Sequence, residues 1–286
     1  MECIVRNIKV YYEVHGEGTP ILMIHGHSPD HRLMKGCMEP VFKDIETKWK
    51  RIYFDLPGMG RTKGEPWITG SDQMLDFVLN FIDAVIPNHK FVLAGESYGG
   101  YLARGIIKKH SELTDGLLLI CPAIRQEMSI ENAAEFQVLE KDELLLNSLS
   151  EEDRKFFTGK GINVSQNKRV WDRFKEEVLP GLKIAEYSFL TNSLGKNISF
   201  SFDPDALEKP YLKPALMLAG RQDSVVGYRD LMQIIGMYPR TTLAILDRAG
   251  HDLQIEQDVI FTEMVKEWLF RVSNEINQTE TEKQNA

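Results

Sequence analysis

The chain has 286 residues and a formal net charge of −8. Its 43% apolar and 27% charged residues exclude a disordered or fibrous protein, and the acidic balance makes nucleic acid and anionic membranes poor partners. Cys3, Cys37 and Cys121 are odd in number and widely spaced, which speaks against a disulfide framework or a zinc site and for free thiols in a reducing cytosol.

Met1–Val14 alternates Val5, Ile8, Val10 and Tyr12 with Arg6, Lys9 and Glu13. That pattern predicts strands rather than an apolar leader. No apolar run approaches the ~20 residues of a membrane span, so the expected location is cytoplasmic. Continuous apolar runs follow at Ile21–Ile24, Arg51–Phe54, Phe91–Ala94, Gly116–Ile120, Ala215–Leu218 and Leu243–Leu246. Each ends in turn residues, and such runs suit strands buried on both faces of a parallel sheet.

Helical patterns separate the runs. Ser71 is the expected N-cap of a helix carrying Met74, Phe77, Val78, Phe81, Ile82 and Val85. A second helix spans Tyr98–Lys109, with His110 at the negative end of its dipole. A third stripe is Ile260, Phe261, Met264, Val265, Trp268 and Leu269. The alternation predicts an α/β sheet.

The rhythm breaks over residues 123–208. Ser129–Leu149 and Ser150–Thr158 read as helical, with Ser150 and Asp153 at capping-box spacing. Ser165 is the expected cap of a helix carrying Val170, Trp171, Phe174 and Val178, stopping at Pro180-Gly181. The expected organisation is therefore a core over 1–122 and 209–273, a helical insertion over 123–208, and a polar, frayed tail over 274–286.

Gly95-Glu96-Ser97-Tyr98-Gly99-Gly100 follows a strand and opens a helix. A turn that sharp forces its central residue into strained backbone angles, and Gly95 and Gly99 avoid the collisions that Cβ atoms would make there. Ser97 is thereby raised at the carboxyl edge of the sheet as a candidate nucleophile. Of seven histidines, His251 alone follows the last strand, in Arg248-Ala-Gly-His251, and it is the candidate base. Asp223, just past another strand, is the candidate orienting carboxylate, with Asp247 as its rival. An oxyanion needs two placed N–H donors. One is expected from Tyr98 and the other from the loop His25-Gly26-His27-Ser28, at His27. The His27 imidazole reads as structural rather than as pocket lining.

These motifs together resemble the α/β-hydrolase superfamily: His25-Gly26, the turn Asp55-Leu-Pro-Gly-Met-Gly60, the elbow at Ser97, Asp223 and His251, in the order Ser, Asp, His. The resemblance covers the chain apart from its tail. It implies a mostly parallel eight-stranded sheet with a helical cap, matching the insertion. Within the superfamily, haloalkane dehalogenases and epoxide hydrolases use an aspartate where Ser97 stands. Proline iminopeptidases usually carry Gly-Gly-Ser-Trp-Gly-Gly and His-Gly-Gly-Pro-Gly, and carbon–carbon bond hydrolases an asparagine before the serine and a tryptophan after the histidine. Glu96, Tyr98 and Asp252 depart from both patterns, which leaves a broad esterase, lactonase or thioesterase group.

The expected function is a serine hydrolase that cleaves a small carboxylic ester, lactone or thioester through an acyl-enzyme, with a small acyl substrate as partner and neither a metal nor an organic cofactor. The alternatives are a lyase or cofactor-free haloperoxidase on the same triad, and a non-catalytic ligand receptor. The Asp55–Gly64 turn lacks nucleotide-binding spacings, so Asp55 reads as a turn former. Trp171, Phe174, Phe189, Phe200 and Phe202 read mainly as core packing, any of them also able to roof the substrate. The 123–208 insertion is expected to choose substrates and to add little to the chemical step. With His251 as base, the pH–activity midpoint is expected between about 5.5 and 7.5.

Overall fold

A computed structural model describes residues 1–125 and 136–284. β1 (Glu2–Val5) and β2 (Ile8–His15) form an antiparallel hairpin, and β2 runs antiparallel to β4 (Trp49–Phe54). β3 (Thr19–Ile24), β5 (Phe91–Glu96), β6 (Thr114–Ile120), β9 (Ala215–Gly220) and β10 (Thr241–Leu246) continue the sheet in parallel. The order is β1-β2-β4-β3-β5-β6-β9-β10, the mostly parallel eight-stranded α/β sheet that the apolar runs predicted.

The runs are continuous because each strand feeds two cores. Successive side chains point to opposite faces. Leu22, Ile24, Leu93, Leu117 and Leu119 enter one buried layer, and Ile21, Met23, Val92, Leu118 and Ile120 enter the other. α2 (Ser71–Val85) and α3 (Tyr98–His110) cover the first face, and α1 (His31–Met38) and α11 (Asp258–Gln284) the second. Phe81 of α2 stacks on Phe54 of β4, their ring centroids 4.4 Å apart.

Two helix ends differ from expectation. The N-cap of α2 is Gly70, and Ser71 is its first residue. The Ser71 hydroxyl is spent on the Tyr98 phenol and on the Ile198 carbonyl instead. α11 continues to Gln284, so the described part of the polar tail is helical rather than frayed. Trp268 Nε1 donates to Pro214 O at 3.1 Å and Arg240 pairs with Glu275 at 2.7 Å, anchoring that helix beyond its apolar stripe.

Between β6 and β9 lie α4 (Glu143–Ser148), α5 (Glu151–Phe157), α6 (Lys168–Glu177), α7 (Leu179–Ile184) and α8 (Tyr187–Asn192). The insertion also holds a parallel pair of two-residue strands, β7 (Glu140–Lys141) and β8 (Ser165–Gln166). Ser165 is therefore a strand residue, and Asn167 caps α6 by accepting from Val170 N at 3.0 Å. The expected helix over Ser129–Leu149 shrinks to α4, its first residues lying outside the described ones. Ser150 does cap α5, accepting from Asp153 N at 3.1 Å. Pro180 sits in the first turn of α7 rather than stopping α6, a position where its missing N–H costs nothing. Short α9 (Leu231–Ile234) and α10 (Leu253–Glu256) complete the chain. Among the described residues no helix is long and apolar enough to cross a membrane.

Candidate active site

The carboxyl ends of β3, β5, β9 and β10 deliver four loops to one edge of the sheet, where open α/β sheets bind ligands. Ser97 takes φ 51° and ψ −115° at the N-cap of α3, a conformation that costs a non-glycine residue about 1–3 kcal/mol. Ser97 N donates to Ile120 O at 2.9 Å, and Ser97 O accepts from Tyr101 N and Ala123 N. The turn closes only because its glycines are bare. A Cβ on Gly95 would lie 2.4 Å from Gly99 O, and one on Gly99 would lie 2.2 Å from Ile24 O.

Ser97, His251 and Asp223 are brought together. Ser97 Oγ lies 2.9 Å from His251 Nε2, and His251 Nδ1 lies 2.9 Å from Asp223 Oδ2. The other Asp223 oxygen accepts from the backbone N–H groups of Val225 and Val226 at 2.8 and 3.1 Å. That leaves Nδ1 as donor and Nε2 as the lone pair facing the hydroxyl. The rival Asp247 is exposed and accepts from Gln222 Nε2 at 2.7 Å. Burial alone would push the His251 imidazole down. The Asp223 carboxylate opposes this through charge and hydrogen bond, Glu96 and Asp252 add to it, and the group is pushed up to about 10.

The loop after β3 holds the other predicted residues. His25 is fully buried, accepts from Leu56 N at 3.0 Å and donates to Gly26 O at 2.7 Å, so its role is to fix the loop. Burial pushes it down, which keeps it neutral in that role. Gly26 lies flat against the elbow: a Cβ there would be 3.2 Å from Ser97 Cβ. His27 is exposed, lies edge-on to the Tyr98 ring and lines the pocket, contrary to the structural role expected of its side chain. The Tyr98 N–H opens α3, so it has no acceptor within that helix.

A cavity of about 330 Å³ stands over Ser97 and His251. Its wall is mainly apolar: Leu33, Phe156, Ile162, Phe174, Val178 and Leu182, with Tyr187 and Lys155 beside them. Of the five aromatic residues singled out in the insertion, only Phe174 lines it. Trp171 packs edge-on against Phe157, Phe200 stacks on Tyr101 and Phe202, and Phe189 covers Gly58 and Gly64.

Sequence reasoning missed three buried carboxyl groups here. Glu96 lines the cavity and its Oε1 lies 3.3 Å from His251 Nε2. Asp252 accepts from Asn163 Nδ2 at 3.1 Å, and burial, joined by Glu177 and Asp223 and opposed by His251, pushes it up to about 7. Glu256 accepts from Val164 N and Ser165 N at 2.7 Å and from Gly250 N at 2.6 Å. The only local signal was proximity in sequence: Glu96 adjoins Ser97, Asp252 adjoins His251, and Glu256 lies five residues beyond His251. Asp55 is more than a turn former: it accepts from His31 N, the His31 ring and Arg61 N. Among the described residues two triplets, Cys121–Asp223–His251 and Asp30–His31–Asp55, place potential metal-ligand atoms within 4.8 Å of one another, a closeness that no sequence spacing revealed. The first is built on the serine–histidine–aspartate chain itself, and the second is occupied by its own hydrogen bonds.

Comparison with known proteins identifies the family. A family model described as serine aminopeptidase, S33, matches residues 21–258. A pimeloyl-[acyl-carrier protein] methyl ester esterase of Legionella pneumophila (strain Paris) is 24% identical, covering 92% of this chain and 100% of its own. A 2-hydroxy-6-oxo-6-(2'-aminophenyl)hexa-2,4-dienoic acid hydrolase of Metapseudomonas resinovorans is 22% identical over 92% of this chain and 88% of its own. A solved α/β superfamily hydrolase from Oenococcus oeni PSU-1 superposes with a TM-score of 0.83 and 30% identity, covering 96% of this chain and 99% of that one. The chain matches the family model despite the departures at Glu96 and Tyr98 from the iminopeptidase pattern. The chain is an esterase-like hydrolase that belongs to the serine aminopeptidase S33 family of the α/β-hydrolase superfamily.

Proposed function

We propose that the protein cleaves a small carboxylic ester, lactone or thioester through an acyl-enzyme on Ser97. The observation that carries this is the unbroken chain Ser97–His251–Asp223, two contacts of 2.9 Å each, at the base of a mainly apolar cavity. Ser97 Oγ attacks the carbonyl carbon while His251 Nε2 takes its proton. Asp223 holds the imidazole in the tautomer that permits this and stabilises the imidazolium that forms. The N–H groups of Tyr98 and His27 receive the oxyanion. His251 returns the proton to the leaving oxygen or sulfur, then activates water to release the acid.

The cavity volume, about 330 Å³, suits a short acyl chain and lies at the small end of ligand pockets. The methyl ester named for the Legionella relative fits a leaving alcohol that needs little room. Segment 123–208 is the cap of this reading, with Phe156, Phe174, Val178, Leu182 and Tyr187 as the acyl wall. No metal or organic cofactor enters the steps. A fluorophosphonate probe should label the natural enzyme and leave Ser97→Ala unlabelled. Hydrolysis of a panel of p-nitrophenyl esters, lactones and acyl thioesters then sets the acyl preference. Labelling at another residue, or unchanged ester hydrolysis by Ser97→Ala, overturns the reading.

A further inference from the structure

One group at this site is left without a task by the reaction just described. Glu96 is 1% exposed, yet it lines the cavity. Its Oε1 reaches His251 Nε2 at 3.3 Å, while its Oε2 is buried with no hydrogen-bond partner. The carboxyl lies on the floor of the oxyanion loop, since a Cβ on Gly26 would fall 2.1 Å from Oε2 and 3.2 Å from Ser97 Cβ. An unpaired buried polar atom costs about 1–3 kcal/mol. Structural carboxyl groups escape that cost by taking up backbone N–H groups, as Glu256 does with three. For Glu96 only the Gly26 backbone lies near, short of a formed hydrogen bond, and the carboxyl stands beside His251 Nε2.

We propose that the Glu96 carboxyl donates a hydrogen bond to an oxygen on the acyl group of the substrate, on the carbon next to the scissile carbonyl. The enzyme then prefers α-keto and α-hydroxy acyl esters over plain alkyl ones. This rests on Ser97 being the nucleophile, because the shared contact with His251 Nε2 is what places Glu96 beside the acyl carbon. The protonation state agrees. Burial raises the carboxyl, His251 and the Gly26 backbone oppose, Asp252 and Asp223 raise it further, and it settles at about 8. The facing groups are His251 and Asp252 from the loop after β10, Asp223 from the loop after β9, Cys37 on α1 and Cys121 after β6. Lys155 and His27 stand on the cavity wall. A site that must hydrogen-bond a substrate oxygen discriminates strongly against the analogue that lacks it, because the buried group is then left unpaired.

The test compares methyl butyrate with the methyl esters of its α-keto, α-hydroxy and α-amino derivatives. The variants are Glu96→Met, which keeps the bulk and removes the donor, and Glu96→Gln, whose amide donates at every pH. The ratio of kcat/KM, oxygenated over plain, should be at least about tenfold higher in the natural enzyme than in Glu96→Met. It should fall as pH rises through the Glu96 titration, and Glu96→Gln should keep it without that fall. Equal ratios in the natural enzyme and Glu96→Met overturn the proposal. So does a preference for the α-amino ester that grows with pH, which would make Glu96 an anion receiving a cation. Should Glu96→Met fail to fold, a pH-independent ratio in the natural enzyme overturns it alone. Fluorophosphonate labelling runs beside each assay. Labelled enzyme with flat ratios sinks the Glu96 assignment only, whereas unlabelled natural enzyme sinks the serine mechanism beneath it.

Discussion

His251 N donates to Gly161 O across 2.8 Å, so the candidate base hangs from the inserted segment. Asp252 N donates to Ile162 O at 3.3 Å, and Glu256 ties Gly250 to Val164 and Ser165. Gly161 also touches the aspartate loop: with φ 83°, it would place a Cβ 2.4 Å from Ser224 Oγ. The insertion was expected to choose substrates and leave the chemistry alone. Residues 161–165 instead bond the loop that carries His251 and pack close to the loop that carries Asp223.

Gly161→Ala should therefore lower kcat for every acyl group alike, by about a hundredfold for a displacement near 1 Å. Phe174→Ala, whose side chain lines the cavity without bonding either loop, should instead shift relative kcat/KM among acyl groups by about 1–3 kcal/mol. Steady-state kinetics on a chain-length series distinguishes the two patterns. A Gly161→Ala enzyme with normal kcat would separate the insertion from the chemistry again.

Ser97 carries a positive φ without being glycine. Ser97→Gly should relieve that strain and raise stability by up to about 1 kcal/mol, while activity falls by on the order of a million-fold. Thermal unfolding and ester hydrolysis measured on the same sample check both signs. A variant less stable than the natural enzyme would show that the hydroxyl contacts outweigh the strain.

Asp223→Asn should cost about ten-thousand-fold in kcat through the wrong imidazole tautomer. Asp247→Asn should cost little, because Asp247 is exposed and bonded to Gln222. The reverse ranking in kcat would move the orienting role to Asp247.

The pH dependence runs in two directions at once. His251 is pushed up against the pull of burial chiefly by the charge and hydrogen bond of Asp223, so kcat/KM should rise with a midpoint above about 7.5, outside the range the sequence suggested. Stability should move the other way. Glu96 is raised to about 8 and Asp252 to about 7, and His251 is raised as well. The folded chain thus holds protons that the unfolded chain releases, and stability falls as pH climbs from about 4.5, the ordinary carboxylate range, through these values. Denaturant unfolding at several pH values should show the fall, with a smaller slope in Glu96→Gln. A slope of opposite sign would mean that these carboxyl groups are ionised in the folded state.

What could be read beforehand was local. The elbow at Ser97 and the strand runs declare themselves because turn chemistry and alternation act over a few residues. The contact between Asp223 and His251 followed from strand ends sharing one edge of a parallel sheet. The links from Gly161, Asn163 and Val164 to the His251 loop were illegible. They join groups about ninety residues apart, backbone to backbone for His251 N and Gly161 O, side chain to side chain for Asp252 and Asn163, and no local pattern marks them. Ser71 misled because a serine before an apolar stripe looks the same whether it caps its own helix or reaches Tyr98. The length of α11 was missed because its residues beyond Ile276 are all polar, and ion pairs such as Arg240–Glu275 help to anchor it there.

The pairing of β6 with β9 bears on how the molecule is made. Leu117–Ile120 lies beside Ala215–Leu218, but the ribosome releases the whole insertion between the two. Throughout that interval β6 is an open sheet edge whose second half, Leu117–Ile120, is wholly apolar, the kind that recruits strands from other chains. Asp223 and His251 arrive later still, so the nascent chain carries its serine long before it carries a partner for it. Slowing synthesis ahead of β9 should lengthen the life of that edge and reduce soluble yield, and substitutions that weaken the docking of β9 should act through aggregation before they act through catalysis.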